Sequence, residues 1–242
     1  MGDITRAEVE RYLVKRSKSA GNFTVNREMA TLRHILNFAV ERGLLERNPA
    51  SKIKLLAEEK RAIRVLSDDE LARYFSWCKN NDELMYDLSV IGFNTGLRRG
   101  DILKIRGEDV DERRGVLAVK VSKRRGELVL YLPLNDVVME VLSRRKKRLG
   151  KGYLFPGENG GHLVEFKRRF ARAVRETGIE FRFADFRHNC ATALITTGAD
   201  LKTVQATLGH SSITTTERYL AVIDERQREA LKRLGEKVVT NK

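Results

Sequence analysis

Apolar side chains recur at helical spacing along most of the chain. The first such stretch predicts a helix over about 3–16, and Thr5 with Glu8 three residues later has the pattern of a capping box at its start. A second helix is predicted over about 24–42, where Gly43 ends it. Further helices are predicted over about 68–79, 82–95, 99–105, 135–148, 163–177, 185–197, 200–207, 213–220 and 224–238.

The period changes in one segment, GVLAVKVSKRRGELVLYLPL at 115–134. Apolar residues there alternate on both sides of a basic polar turn, which predicts a β-hairpin. Three adjacent acids at 68–70 follow Ser67, but Ser67 and Glu70 fit a capping box, so the acids are interpreted as a helix start and not as a metal site. The predicted fold class is mainly α (α+β), a small helical domain followed by a mostly helical domain with a small antiparallel β-sheet.

The helical pattern weakens over 52–65, KIKLLAEEKRAIRV, where charged residues dominate after a turn at 48–51. A domain boundary is predicted at this point. The expected organisation is a helical domain over 1–57, a linker over 58–65 and a larger domain over 66–242.

The amino-acid composition indicates what kind of molecule the protein binds. The 242 residues include 47 Lys and Arg against 33 Asp and Glu, a formal net charge of +14 with a pI near 10.0. This surplus favours a polyanion, above all nucleic acid, although charge alone does not separate an enzyme from a passive binder. With 41% hydrophobic residues, no apolar run that could span a bilayer and no signal-peptide pattern, a folded cytoplasmic protein without membrane contact is expected. Cys78 and Cys190 predict reduced, buried thiols.

Three segments combine arginine, histidine and tyrosine in a fixed order: TGLRRGDIL at 95–103, FADFRHNCATALITTGADLKTVQATLGHSS at 183–212 and ITTTERYL at 213–220. Together they resemble the tyrosine recombinase (phage integrase) family. The segment TVNREMATLRHILNFAVERGLLERNPA at 24–50 is similar to that family's helical core-binding domain. The resemblance covers nearly the whole chain, and its separated motifs occur in the family's order and spacing.

The resemblance implies a site-specific recombinase, an enzyme of DNA recombination and DNA integration in a mobile element. In that family a tyrosine attacks a phosphodiester and forms a 3′-phosphotyrosine link before the strands rejoin. The matching nucleophile is Tyr219, nine residues after His210, which would hydrogen-bond the transferred phosphate. Arg98 and Arg187 match two phosphate clamps, a task for which the charged, forked guanidinium is suited. Lys123, at the hairpin turn, matches the lysine that protonates the leaving oxygen.

Other positions match supporting roles. Asp101, where the family usually has Glu, would orient the arginines, and the alternative is a helix-start acid. His188 would support the pocket or act as a buried structural histidine. Lys120, on the preceding predicted strand, is the second choice for the role of Lys123. Arg99 is interpreted as a surface charge or as a charge that contacts the DNA backbone.

One position departs from the family pattern. The family has His-x-x-Arg around its second arginine, and the histidine corresponds here to Ala184. Alanine carries no proton, and general acid–base assistance is worth about 10²–10⁴ in rate, so activity is expected to be reduced. A slow natural enzyme, replacement of the histidine by another group or water, and a deliberately changed residue all stay open.

The resemblance implies double-stranded DNA as the partner, with two domains closing around the duplex and a tetramer on paired sites that exchanges strands through a Holliday junction. It implies no metal or other cofactor, because arginines stabilise the transition state. The helix over 224–238 would pack on a neighbouring protomer or in cis. The basic run at 144–148 is interpreted as contacting the DNA backbone or as a solvated helix end. Candidate DNA-binding residues are Thr24, Asn26, Arg27, Arg33, Lys120, Arg124 and Arg125.

Two other classes of protein stay open. Taken without the other motifs, DLKTVQATLGHSSITTTERYL at 200–220 resembles a helix-turn-helix, so a catalytically impaired or non-catalytic DNA-binding regulator on the same fold is one alternative. A DNA-relaxing enzyme like the type IB topoisomerases is the other, and the core-binding segment favours the recombinase over it. The first domain is shorter than is usual in the family, which leaves open an additional N-terminal arm.

Overall fold

The computed structural model describes residues 4–58, 64–123 and 126–209, and for 121–123 and 126–128 it describes the backbone alone. The described residues form two compact units, one on each side of the division between residues 62 and 63. The helices predicted over 213–220 and 224–238 lie outside the described residues.

The first unit contains α1 (Arg6–Ser17) and α2 (Asn22–Glu41). The predicted capping box is confirmed, since the Glu8 N–H donates to Thr5 Oγ1 at 3.3 Å and the Thr5 N–H donates to Glu8 at 2.9 Å. Gly43 follows α2 with a positive φ of 70°. The two helices and the segment after them share a small apolar core of Val9, Val25, Met29, Leu36, Ala50 and Ile53.

The second unit is mainly helical, as predicted. The capping box of Ser67 and Glu70 is present, so the interpretation of the three acids as a helix start is confirmed. The largest boundary difference is at residue 163, where the Leu163 N–H donates to the Phe155 carbonyl at 2.6 Å and keeps the chain extended before the helix begins. The described helices are α3 (Asp68–Asn81), α4 (Glu83–Thr95), α5 (Arg99–Leu103), α6 (Asp136–Leu149), α7 (Lys167–Thr177), α8 (Asp185–Thr196) and α9 (Leu201–Leu208).

The predicted hairpin is confirmed as β2 (Val116–Lys123) and β3 (Gly126–Pro133), which pair antiparallel with Val119 opposite Leu130. A third strand, β1 (Val110–Asp111), pairs with β2 and gives the order β1-β2-β3. The sequence did not predict β1, because two residues are too few for an alternating pattern.

An aromatic cluster in the core of the second unit fixes the chain that leads into α8. Phe181 packs edge-on against Tyr74 with ring centroids 5.0 Å apart and against Phe186 at 5.1 Å. Phe183 packs against Phe166 at 4.8 Å. Such edge-to-face pairs are worth about 0.5–1.5 kcal/mol each beyond burial. They hold residues 181–186 in one path just before Arg187.

Both cysteines are free and buried, as predicted. Burial raises the pKa of the Cys190 thiol to about 12 and that of Cys78 to about 11. Among the described helices, none is long and apolar enough to cross a membrane.

Candidate active site

The segment Thr95-Gly96-Leu97-Arg98 forms the corner between α4 and α5. The Thr95 hydroxyl donates to the Ile91 carbonyl at 2.6 Å and accepts from the Leu97 N–H at 3.3 Å. Gly96 ends α4 with a φ of 62°, a conformation that glycine adopts without a steric penalty. Leu97 is buried, whereas Arg98 is exposed at the N-cap of α5. The corner therefore anchors one side chain in the core and presents the next to solvent.

The same corner lies against α8 and α9. A Cβ placed on Gly96 would overlap the Leu208 side chain and lie 3.4 Å from the Cys190 sulfur. Only glycine fits at this close approach of the three helices.

Arg187, half-buried in the first turn of α8, connects these helix ends. Its Nη1 donates to the Gly96 carbonyl and its Nη2 to the Leu208 carbonyl, both at 2.7 Å. The last carbonyls of a helix lack hydrogen-bond donors within the helix. The guanidinium supplies a donor to the last carbonyl of α9 and another to the capping residue of α4. Two of the five guanidinium N–H groups serve these two bonds.

Asp101 lies half-buried in the first turn of α5. Burial raises the pKa of its carboxyl, and the positive charges of Arg98, Arg187 and Lys104 oppose that rise. The carboxylate is thus within electrostatic reach of both arginines that the family resemblance selected. The structure brings Arg98, Asp101 and Arg187 together from positions up to 89 residues apart in sequence.

The hairpin lies next to the end of α9. A Cβ placed on Gly209, which follows α9 with a φ of 64°, would lie 2.5 Å from Leu130 Cδ1 on β3. At the far end of the hairpin, Lys123 pairs through its backbone with Gly126, and Lys120 is exposed on β2. The side chain of Lys123 and all of Arg124, Arg125, His210 and Tyr219 lie outside the described residues.

Ala184 occupies the N-cap position of α8 and is exposed. It makes no side-chain cap, and the adjacent Asp185 is buried and accepts from the Arg182 backbone N–H at 2.8 Å. His188 is half-buried one residue after Arg187. The position where the family has a histidine is therefore open to solvent in the turn that also contains Arg187.

The predicted DNA-binding residues of α2 fall into two groups. Thr24 and Arg27 are exposed. Asn26 is only 5% exposed, and its amide donates to the Leu56 carbonyl at 2.8 Å and accepts from the Leu56 N–H at 2.9 Å. Arg33 is half-buried, with Nε donating to the Ala50 carbonyl at 2.9 Å. Asn26 holds the chain after α2 instead of reading bases, and we withdraw it from the DNA-binding set.

The basic run at 144–148 is exposed at Arg144, Lys147 and Arg148, as expected of a solvated helix end, but Arg145 is buried. Arg145 is buried and donates to Asp87 at 2.6 Å, and Arg144 also contacts Asp87. Arg148 pairs with Glu83 at 3.1 Å. Three of the five cations are therefore bound to acids of α4. The acids at 83 and 87 lie one helical turn apart and therefore on one face of α4.

Sequence reasoning also passed over Asn189, a buried polar residue on the inner face of α8. Its side chain bonds to the backbone of residues 64 and 66 at the start of the second unit. An asparagine in an otherwise apolar helical face was the available signal. Within the described residues, no group of His, Cys, Asp and Glu has an arrangement that could hold a metal ion.

Comparison with known proteins places this site in a family. Residues 64–226, more than half of the chain, match the model of the phage integrase family, so the chain belongs to that family of tyrosine recombinases. A tyrosine recombinase of Thermosipho africanus (strain TCF52B) is 27% identical, and the match covers 97% of this chain and 86% of the relative. The tyrosine recombinase XerC of Pediococcus pentosaceus is 25% identical, over 87% of this chain and 75% of that protein.

Solved structures show the same fold. The integrase of transposon Tn1549 in complex with transposon right end DNA has a TM-score of 0.76 at 21% identity, covering 97% of this chain and 87% of that chain. A lambda integrase tetramer bound to a Holliday junction has a TM-score of 0.74 at 22% identity, covering 90% and 65%. The predicted fold class is confirmed.

Proposed function

We propose that this chain is a site-specific DNA recombinase that cleaves and rejoins DNA through a 3′-phosphotyrosine intermediate on Tyr219. The observation that carries the proposal is the meeting of Arg98, Asp101 and Arg187 where α4, α5 and α8 converge. Arg187 donates to the Gly96 carbonyl, two residues before Arg98, and two guanidinium groups with one carboxylate in electrostatic reach of both suit a phosphodiester. Membership of the phage integrase family supports the same reaction class.

In the proposed cleavage step the Tyr219 phenol loses its proton to water, and its oxygen attacks phosphorus and forms an O–P bond while the bond to the 5′ oxygen breaks. A proton from Lys123 goes to the departing 5′ oxygen. The five-coordinate phosphorus carries more negative charge than the diester, so Arg98 and Arg187 bind the transition state more strongly than the ground state. His210 would donate to the same phosphate. Attack by a free 5′ hydroxyl reverses the step and rejoins DNA.

Asp101 is proposed to act through the arginines. Its charge lies within electrostatic reach of both guanidinium groups, and its half-buried position strengthens that attraction. It is proposed to favour one arrangement of the two arginines without contacting the phosphate itself. No step of this scheme uses a metal ion or another cofactor, because the charge stabilisation comes from the arginines.

Double-stranded DNA is the proposed partner. The net charge of +14 favours a polyphosphate, and the exposed Thr24, Arg27 and Lys120 are proposed to contact it. Arg124 and Arg125, which lie between β2 and β3 in the sequence, are proposed to do the same. This chain shares the fold of lambda integrase, which forms a tetramer on a Holliday junction. By analogy, a tetramer on paired DNA sites is proposed for this chain.

A second candidate function rests on Ala184. Because an exposed alanine stands at the N-cap of α8 in place of a proton-carrying side chain, the chain would bind recombination sites while cleaving slowly or not at all. Cleavage assays separate this DNA-binding regulator from the recombinase.

The proposal is tested with duplexes that the protein selects from a random-sequence pool. Each duplex is then nicked a few nucleotides to the 3′ side of the candidate cut. Cleavage there releases a short fragment with a free 5′ hydroxyl, which diffuses away, so the covalent complex accumulates. We expect a DNA-linked protein band that is absent in Tyr219→Phe, with DNA affinity unchanged in that variant. Selected DNA that is bound tightly but never becomes covalently attached would leave the regulator as the correct description.

A further inference from the structure

A buried side chain outside the proposed phosphate site fastens the start of the second unit to α8. Asn189 is 3% exposed, and its Oδ1 accepts from the Leu66 N–H at 2.7 Å. Its Nδ2 donates to the Arg64 carbonyl at 3.0 Å and to the Asp185 carbonyl at 2.8 Å. Both amide hydrogens and the amide oxygen are therefore bonded to backbone, in the pattern by which one strand pairs with another.

Segment 64–66 is itself held from other directions. Arg64 Nε donates to the Glu180 carbonyl at 3.3 Å, and the Arg64 guanidinium pairs with Glu70 on α3. Leu66 is 4% exposed in the core of the second unit. Asn189 thus bonds α8 to a fixed part of the unit and not to a loose strand.

The first turn of α8 depends on such bonds because it has no side-chain cap at Ala184. On its N-terminal side the Asp185 carboxylate accepts from Arg182, at 2.8 Å from the backbone N–H and 3.1 Å from Nη2. On its other side Asn189 bonds to residues 64 and 66. Arg187 lies between these two attachments, and its guanidinium reaches the Gly96 and Leu208 carbonyls at 2.7 Å each.

We infer that Asn189 is a positioning residue for Arg187: by bonding α8 to segment 64–66 it holds the guanidinium at the place where the scissile phosphate binds. The inference rests on the proposed function for its catalytic meaning. A misplacement of a reacting group by about 1 Å costs about 10²-fold in rate. We expect the loss of the Asn189 attachment to move Arg187 on that scale, while the buried Phe186 in the same turn keeps α8 in the folded core.

The kinetic test uses Asn189→Ala, and Asn189→Ser in case the alanine variant does not fold. The matched control is Val141→Ala on α6, which removes buried apolar atoms from a helix that packs mainly on α4 and lowers stability while leaving Asn189 and its bonds to segment 64–66 in place. Each change is made in the wild-type background and in Arg187→Lys, and covalent complex formation is followed at saturating DNA and at a temperature where every variant is folded.

We expect Asn189→Ala to slow covalent complex formation about 10- to 100-fold in the wild-type background and by less than about 3-fold in Arg187→Lys. Val141→Ala is expected to lower the melting temperature with little change in rate in both backgrounds. Equal fold losses for Asn189→Ala in the two backgrounds, or no loss in either, would overturn the inference.

A second measurement does not need cleavage. The Arg187 Nε–H signal in a ¹⁵N-labelled protein is assigned by its loss in Arg187→Lys, and it is expected to shift in Asn189→Ala but not in Val141→Ala. If this shift occurs and wild-type protein never forms the covalent complex, the proposed function fails while the positioning role stands. If wild-type protein cleaves and the Nε–H signal stays in place, Asn189 has only a folding role.

Discussion

Arg145 donates from Nε to Asp87 Oδ2 at 2.6 Å, and neither side chain is more than 8% exposed. Arg145 also donates to the Leu154 carbonyl at 3.0 Å, so the pair joins α4 and α6 to the loop that follows α6. Burial raises the pKa of Asp87, and the charges of Arg145 and Arg144 oppose that rise. The pair is a structural element of the second unit, in a run that the sequence predicted either to contact the DNA backbone or to be a solvated helix end.

Replacing Arg145 by leucine is expected to destabilise the second unit by about 3–5 kcal/mol, because Asp87 remains buried without its main partner. The matched control is Arg148→Ala, whose pairing with Glu83 is exposed and is expected to contribute less than about 1 kcal/mol. Urea unfolding near pH 7 measures both. In Arg145→Leu the pKa of Asp87 rises further, because the positive charge beside it is gone. The difference in free energy of unfolding between wild type and variant should therefore shrink toward pH 5 as the carboxyl protonates. Equal losses in the two variants would contradict this account.

Gly96→Ala is expected to be more harmful than Gly178→Ala. Both glycines cap helices with a positive φ, 62° at Gly96 and 67° at Gly178. Both substitutions therefore carry a left-handed backbone cost of about 1–2 kcal/mol. A Cβ at Gly96 also meets Leu208 and Cys190, whereas one at Gly178 meets nothing within 4 Å. Overpacking adds about 1–3 kcal/mol at Gly96 alone. Thermal unfolding of the two variants gives the comparison, and equal shifts would show that α9 yields without cost.

Asp101→Asn separates stability from catalysis. The folded-state pKa of Asp101 lies above its ordinary value. The contribution of this carboxyl to the free energy of unfolding of the wild-type protein therefore falls as pH rises from the unfolded-state pKa to the folded-state pKa. The asparagine variant should therefore gain stability relative to wild type as pH rises above the ordinary aspartate pKa of about 3.9. Cleavage should nonetheless fall about 10- to 100-fold, the size known for groups that orient a ligand-binding side chain. Full activity in this variant would show that the arginines need no carboxylate.

Local patterns predicted most of the fold because a helix or hairpin records its buried face in its own sequence. The two capping boxes and the alternation at 115–134 each lie within a few residues, and all were confirmed. The ion pairs of 144–148 were missed because their partners, Glu83 and Asp87, lie about 60 residues away on another helix. Sequence supplies the charges in that case but not which of them meet.

The candidate site likewise contains residues that the sequence predicted and residues whose role only the tertiary contacts reveal. Residues Arg98, Asp101 and Arg187 were selected through family motifs, and the structure brings them together. The role of Asn26 was wrong because a polar residue at a helix start can face either DNA or the chain that follows, and only tertiary structure decides between them. Asn189 was not selected, since its partners at 64 and 66 lie more than 120 residues earlier.

Asn26→Ala and Arg27→Ala, adjacent on α2, are expected to give opposite phenotypes. Removing the Asn26 amide leaves both backbone groups of Leu56 without this partner and should destabilise the first unit by about 1–3 kcal/mol. Removing the exposed Arg27 should leave stability unchanged, weaken DNA binding and reduce the slope of log affinity against log salt by about 1. Urea unfolding and fluorescence anisotropy at several salt concentrations measure the two effects. A stable Asn26→Ala protein with weakened DNA binding would restore Asn26 to the interface.

Ala184→His is expected to raise the rate of covalent complex formation, by up to about 10²–10⁴-fold if proton transfer limits it. The site is exposed, so the larger side chain fits without disturbing the core. The N-terminus of α8 and the charge of Arg187 both disfavour an imidazolium, which keeps the new imidazole neutral and able to accept a proton near pH 7. Ala184→Asn is the control, since an amide has similar polarity but accepts no proton. Equal rates for the histidine, asparagine and wild-type proteins would show that another group already removes the tyrosine proton.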